Sequence, residues 1–231
     1  MARPATKTVV DGVVSGAMLL ASLAVLFFVW QNAQAKPADP AVGPLPKTPV
    51  ALTGSPLEGS RDAPIALVVF SDFECPFCRS FAQSMLPTFR NDYVSTGKVL
   101  VSFRHLPLKI HQSARLAAQA AVCAAEQDKF WTLHDAFFAE PSSLRNIDKA
   151  MSDIGADPVA FASCRASERT SKTVDSDLAL AKTLEIGATP TFLVGTNEGG
   201  KAVRVTARFT GGLNYEKFKQ QLGFAQDGPG R

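Results

Sequence analysis

Two neighbouring stretches, Ile65-Ala66-Leu67-Val68-Val69-Phe70 and Cys75-Pro76-Phe77-Cys78, decide how this chain is read. A short unbroken apolar run reads as a buried strand. The two thiols that follow stand three positions apart and can close on each other. Pro76 suits an early helical position, where a missing N–H leaves nothing unsatisfied. A thiol at a helix start meets unpaired backbone N–H groups and the positive end of the helix dipole. Both favour the thiolate, which is the nucleophile of disulfide exchange. Strand, C-x-x-C and helix together read as a redox site.

Two bland readings compete with that one: half of a zinc site, and an inert structural disulfide. A four-ligand zinc site needs a second ligand pair. Cys123 and Cys164 are far apart in sequence and lack close Cys or His partners. His105, His111 and His134 are scattered, and no H-x₃₋₅-H spacing occurs. Redox chemistry is the leading reading, with no metal and no organic cofactor.

The amino-terminal residues set the compartment. Gly12 to Trp30 is uncharged and mostly apolar, with Arg3 and Lys7 before it. Such a run approaches the ~20 residues that cross a bilayer as a helix. With the cations inside, everything after Trp30 lies on the far side of the membrane, in the periplasm or outside the cell. Ala33-Gln34-Ala35 also has the form of a signal-peptide cleavage site, which would release a soluble exported domain. The apolar run is longer than the ~7–15 residues of a signal core, which favours a retained single-pass anchor. Disulfides persist in either exported form. The net charge of +3 is weak and no Lys/Arg cluster occurs, so nothing points to nucleic acid.

Residues 31–55, rich in Pro and Ala, read as a linker after the anchor or signal segment at 1–30. The folded domain is expected over 56–227. Within it, Val99–Phe103 reads as a second strand, and Phe81, Met85, Leu86 and Phe89 fall at helical spacing with a kink at Pro87. Residues 110–186 look helical almost throughout. Strand signals return at Thr191–Val194 and Val203–Phe209 around a Gly-rich turn, and a last helix covers about 214–222. Without the helical block the order is βαβ then ββα, an α/β thioredoxin-like fold with an inserted helical domain, preceded by one transmembrane helix.

The sequence here resembles the DsbA-like thiol–disulfide oxidoreductases of the thioredoxin superfamily, from about Gly54 to Leu222. The resemblance rests on Phe70-Ser71-Asp72-Phe73-Glu74-Cys75-Pro76-Phe77-Cys78, on Glu126-Gln127-Asp128-Lys129-Phe130-Trp131 and on Gly187-Ala188-Thr189-Pro190-Thr191-Phe192. It implies that Cys75, nearer the surface, attacks and is attacked, and that Cys78 is the buried resolving thiol. It also implies a cis bond at Thr189-Pro190, where the Thr189 backbone meets an extended substrate segment, as in strand addition. Pro76 and Phe77 would add to that contact surface.

Two departures qualify the likeness. The buried acid that such proteins often carry six residues before the first cysteine is here Val69. Any help in moving the Cys78 proton must come from elsewhere. Phe77 stands where strongly oxidising members often have His, which should make the pair less oxidising. Glu74 reads as a solvated loop charge more readily than as a catalytic group. His134, among Trp131, Phe137 and Phe138, reads as part of a partly buried helix face, and His111 as lying near a helix start. Cys123 and Cys164 read as a structural disulfide pinning two insert helices, against separate buried thiols or a relay.

The expected function is therefore disulfide exchange with cysteines of exported proteins, preferably as an oxidase. A membrane or soluble redox partner would reset the Cys75–Cys78 pair. A thiol reductase and a non-catalytic thioredoxin-like module are the alternatives.

Overall fold

The computed structural model describes residues 43–212 and 214–223, together with Ser22. The apolar stretch Gly12–Trp30 and residues 31–42 of the linker fall outside the described residues. Among the described residues, no helix is long and apolar enough to cross a membrane.

The strands are β1 (Val50–Ala51), β2 (Leu57–Glu58), β3 (Ile65–Ser71), β4 (Val99–His105), β5 (Thr191–Asn197) and β6 (Ala202–Thr210). They form a six-stranded sheet in the order β1-β6-β5-β3-β4-β2. β3 lies in its interior, parallel to β4 and antiparallel to β5. Six of its seven residues are buried, which explains the unbroken apolar run: a strand covered on both faces has no polar side to alternate with. β1 lies in the tract read as linker. Val50 pairs with Val203 and Leu52 is buried, so the folded domain begins earlier than residue 56. The hairpin between β5 and β6 turns through Gly199 and Gly200, both at positive φ, which a side chain would resist.

The parallel β3–β4 pair is joined by a helical crossover: α1 (Pro76–Ser80), a π turn at Phe81–Met85, α2 (Leu86–Phe89) and a second π turn at Arg90–Val94. Pro87 has no N–H to give. The preceding N–H, that of Leu86, reaches back five residues to the Phe81 carbonyl, so a widened turn stands where the sequence predicts a kink.

Seven-residue β3 feeds both sides of the sheet. Leu67 and Val69 join Phe81, Phe89, Phe192, Phe209 and Phe218 on the crossover side, which also receives α8 (Tyr215–Gln221). Ala66, Val68 and Phe70 join Leu100, Leu193 and Val203 on the other. That second face is covered by α7 (Arg169–Thr183) through Ala181. Buried Arg104 of β4 meets Asp177 of α7 at 2.8 Å, and the same guanidinium donates to the Ala51 carbonyl at 2.6 Å. One residue thus ties β4, α7 and the start of the domain.

The remaining helices, α3 (Ala114–Ala125), α4 (Phe130–Ala139), α5 (Ile147–Asp153) and α6 (Pro158–Ala166), form the insert with a 3₁₀ turn at Pro141–Arg145. Their core contains Phe130, Leu133, Phe137 and Phe138, and it is continuous with Phe73, Cys75 and Cys78. Cys123 of α3 and Cys164 of α6 are joined as a disulfide. Arg79 and Gln83 both donate to the Phe138 carbonyl at the end of α4, which docks the insert onto the crossover.

Candidate active site

β3 ends at Ser71, and after four residues the chain enters α1 at Pro76. Cys75 is the extended residue before that helix, and Pro76 fills its first turn. The Cys75 N–H donates to Asp72 O at 3.1 Å, and the Cys75 carbonyl accepts from the Arg79 N–H at 3.0 Å. Cys75 and Cys78 are both free thiols and both buried, at 4% and 1% exposure. Cys75 therefore lies less open than the sequence suggests. Phe77 between them is 60% exposed. The Cys75 thiol donates to the Thr189 carbonyl across 3.4 Å, and Thr189-Pro190 is a cis peptide bond. The structure thus gathers Cys75, Cys78, Pro76, Phe77, Thr189 and Pro190 at one end of the sheet.

The two thiols are electrostatically unlike. A hydrogen bond from Cys78 is the largest influence on Cys75. Together with the N–H groups of Cys78 and Phe77, it outweighs the cost of burial and lowers the Cys75 pKa to about 5. Burial is the largest influence on Cys78 and pushes its pKa up, and the neighbouring Cys75 sulfur adds to the rise. One thiol is poised as a thiolate while the other stays protonated.

Beneath them lies a set of contacts that sequence reasoning missed. The Asp72 side chain is wholly buried and accepts from the Glu74 N–H and the Leu108 N–H, each at 2.7 Å, and lies 2.8 Å from His111 Nδ1. Desolvation works against the His111 cation, but Asp72 overcomes it and raises the pKa. Glu74 is not a free loop charge: its carboxylate accepts from the Ser113 N–H at 2.6 Å, just before α3. His134 is fully inside, at 3% exposure, rather than on a half-buried face. Its Nδ1 lies 2.8 Å from Asp135 Oδ1. Acidic residues near the cysteines were the available sequence signal, but their partners come from a loop some 40 positions on.

Beside Cys75 runs a groove of about 420 Å³, lined by Glu74, Pro76, Arg79, Gln112 and Arg145 among others. A larger cavity of about 640 Å³, lined by residues of α5 and α6, contains no thiol. Among the described residues, no group of three or more side chains is arranged to hold a metal ion.

Residues 52–207 match the family model described as thioredoxin. The chain belongs to the thioredoxin family. Within the thioredoxin superfamily it is DsbA-like. It is 30% identical to disulfide bond formation protein D of Bacillus subtilis, over 62% of this chain and 68% of that protein. It is also 36% identical to a Na(+)/H(+) antiporter, NhaA 3 of Salinispora tropica, over 60% of this chain but only 21% of the antiporter. The chain thus spans about a fifth of that relative. The structure of alpha-DsbA1 from Wolbachia pipientis superposes with a TM-score of 0.65 at 23% identity, covering 76% of this chain and 94% of that one. That likeness carries the thioredoxin-like fold with its helical insertion.

Proposed function

We propose that this DsbA-like chain is a thiol–disulfide oxidoreductase that acts on cysteines of exported proteins through Cys75 and Cys78. The observation that carries the proposal is the asymmetry of the pair. Cys75 is held towards the thiolate beside the Thr189 carbonyl, while Cys78 is buried and protonated one turn into the helix. In the oxidising direction, a client thiolate attacks Cys75 of the closed pair. A client–Cys75 bond forms, the Cys75–Cys78 bond breaks, and Cys78 leaves and gains a proton. A second client thiolate then attacks the client sulfur, which closes the client disulfide and releases Cys75 as a thiolate. The enzyme pair gains two electrons, and a membrane or soluble disulfide-bearing partner takes them to reset it.

Oxidase is the favoured direction. Stabilising the Cys75 thiolate stabilises the reduced enzyme, and a disulfide whose reduced form is stabilised is a stronger oxidant. Extracytoplasmic action with a retained anchor at Gly12–Trp30 is supported by that apolar run. It is also supported by the likeness to a protein named for disulfide bond formation. Cleavage near Ala35 would instead leave a soluble exported domain, recognised by a mature amino terminus at Lys36.

Two measurements test the proposal. A Cys78→Ser variant should accumulate mixed disulfides through Cys75 with exported proteins. The potential of the pair should lie nearer the ~−120 mV of DsbA than the ~−270 mV of thioredoxin. A value at the thioredoxin end would reverse the direction to reductase. A pair that dithiothreitol cannot open in the folded state would leave a non-catalytic module.

A further inference from the structure

Each exchange proposed above moves a proton on or off Cys78, a thiol only 1% exposed. Val69, six residues before Cys75, offers no ionisable group. Cys78 does border a small cavity of about 10 Å³ that also touches Ser71, Phe103, Trp131, His134 and Phe138. That space is close to what a single buried water occupies, and such waters need two to four polar partners. Ser71, Cys78 and His134 all line this space and each carries a polar group, and the Ser71 hydroxyl also hydrogen-bonds Cys78 directly.

We propose that His134 receives the proton of Cys78 when the pair closes and returns it when the pair opens, through a water held in this cavity. The inference rests on the exchange reading of the pair.

The ring is set up for this work. Its Nδ1 lies 2.8 Å from Asp135 Oδ1. A carboxylate only accepts, so Nδ1 carries the proton and Nε2 is the accepting nitrogen. Asp135 is 49% exposed, and its other oxygen is held by Arg90 at 2.7 Å, which in turn pairs with Glu58. A proton taken at Nε2 therefore has a way out from Nδ1 to a carboxylate that touches solvent. Burial outweighs Asp135 and lowers the His134 pKa, which keeps the ring neutral and able to accept near pH 7. His105, the other buried imidazole nearby, is held neutral by burial with a pKa of about 4, and it does not border the cavity. Cys75 is the remaining titratable neighbour, and it takes the new bond.

Cys78 gives its proton to the water, which gives one to Nε2. The Cys78 sulfur attacks Cys75 of the mixed disulfide with the resetting partner, the Cys75–Cys78 bond forms, and the partner sulfur leaves with the electron pair of the broken bond. The enzyme dithiol is oxidised and the partner disulfide reduced. Opening runs the same steps in reverse.

The test is made on the full reduced chain mixed with oxidised glutathione, quenched in acid at set times and read by mass spectrometry from pH 5 to 9. The rates of formation and closure of the glutathione adduct are followed for wild type, His134→Gln and Asp135→Asn. Closure in His134→Gln should be slower by about 10²-fold at pH 7, the lower range for general acid–base assistance. The deficit should shrink towards pH 9, where hydroxide takes the proton, and should fall on closure rather than on formation. A folded His134→Gln that closes at the wild-type rate with the wild-type pH profile overturns the inference. If that variant does not fold, Asp135→Asn decides: slower closure in the same pH range supports the path, and an unchanged profile overturns it. A wild type that forms no adduct at all overturns the exchange reading first, and the inference with it.

Discussion

The thiol of Cys75 and the backbone carbonyl of Thr189 meet across 3.4 Å although 114 positions separate them. The contact puts the buried first cysteine of the C-x-x-C turn against the loop that leads into β5. Under the proposed function, a client segment reaching Cys75 passes along Thr189. The same loop receives the end of β6, since the Gly211 N–H donates to the Pro190 carbonyl at 2.9 Å.

Alkylation of Cys75 in the reduced chain should be half-maximal near pH 5. Cys78→Ala removes the largest cause of that low value, so the midpoint should climb towards the ordinary ~8.5 of a free thiol. An unmoved midpoint would assign the effect to the helix start instead. The sign for stability follows from the same shift. A thiol whose folded pKa is depressed contributes stability that is complete above its unfolded value and lost as pH falls through about 5. The raised Cys78 pKa acts only above the unfolded value, so the window between belongs to Cys75. Urea melts of the reduced chain should therefore strengthen between pH 5 and 8 relative to the oxidised chain.

Asp72 anchors the loop by three contacts, and Asp72→Ala leaves two backbone N–H groups without their acceptor. The loss should be about 3 kcal/mol in chemical denaturation. His111 answers to pH in the opposite sense to Cys75. Its folded pKa is raised, so its contribution is present below the unfolded 6.5 and fades as pH rises through the folded value. His111→Gln should flatten that part of the stability profile. A slope that survives the substitution would mean another group carries it.

Phe77, 60% exposed between the two cysteines, presents an apolar face where a cation would favour the Cys75 thiolate. Phe77→His should make the pair more oxidising. A thiolate stabilised tenfold corresponds to roughly 30 mV for this two-electron couple. Equilibration with glutathione buffers at a pH below 6 reads the shift, and no change there would place residue 77 outside the field that tunes Cys75.

The Cys123–Cys164 bond closes a loop with a sequence separation of 41. Replacing both by serine should destabilise the domain by about 4 kcal/mol in the chain-entropy model. Alkylation of Cys75 well below the melting temperature should keep its rate, because the bond joins α3 to α6 and not to the turn at 75–78. Equal melting temperatures for variant and wild type would show that the insert is held by its core alone.

Much of the fold was written in local pattern. The run Ile65–Phe70, the thiols three apart, the helical spacing of Phe81 and Phe89 and the strand signals around the Gly-rich turn place the thioredoxin core with its helical insertion. Each is a periodicity or a spacing, and these report how a segment is buried, whatever its partner. The limits of that information show at Val50 and Leu52, which pattern assigns to a proline-rich linker and packing assigns to the sheet edge.

Sequence alone placed two thiols three positions apart at a helix start, because that placement depends on only four neighbouring residues. Tertiary structure alone decided what surrounds them: Asp72 with His111, Glu74 with the start of α3, and His134 across a small cavity from Cys78. These partners lie in segments with no local signature of their role. A carboxylate or imidazole looks the same in sequence whether it is solvated or paired. Only close packing, which brings distant segments within hydrogen-bond reach and removes the water between them, separates the two.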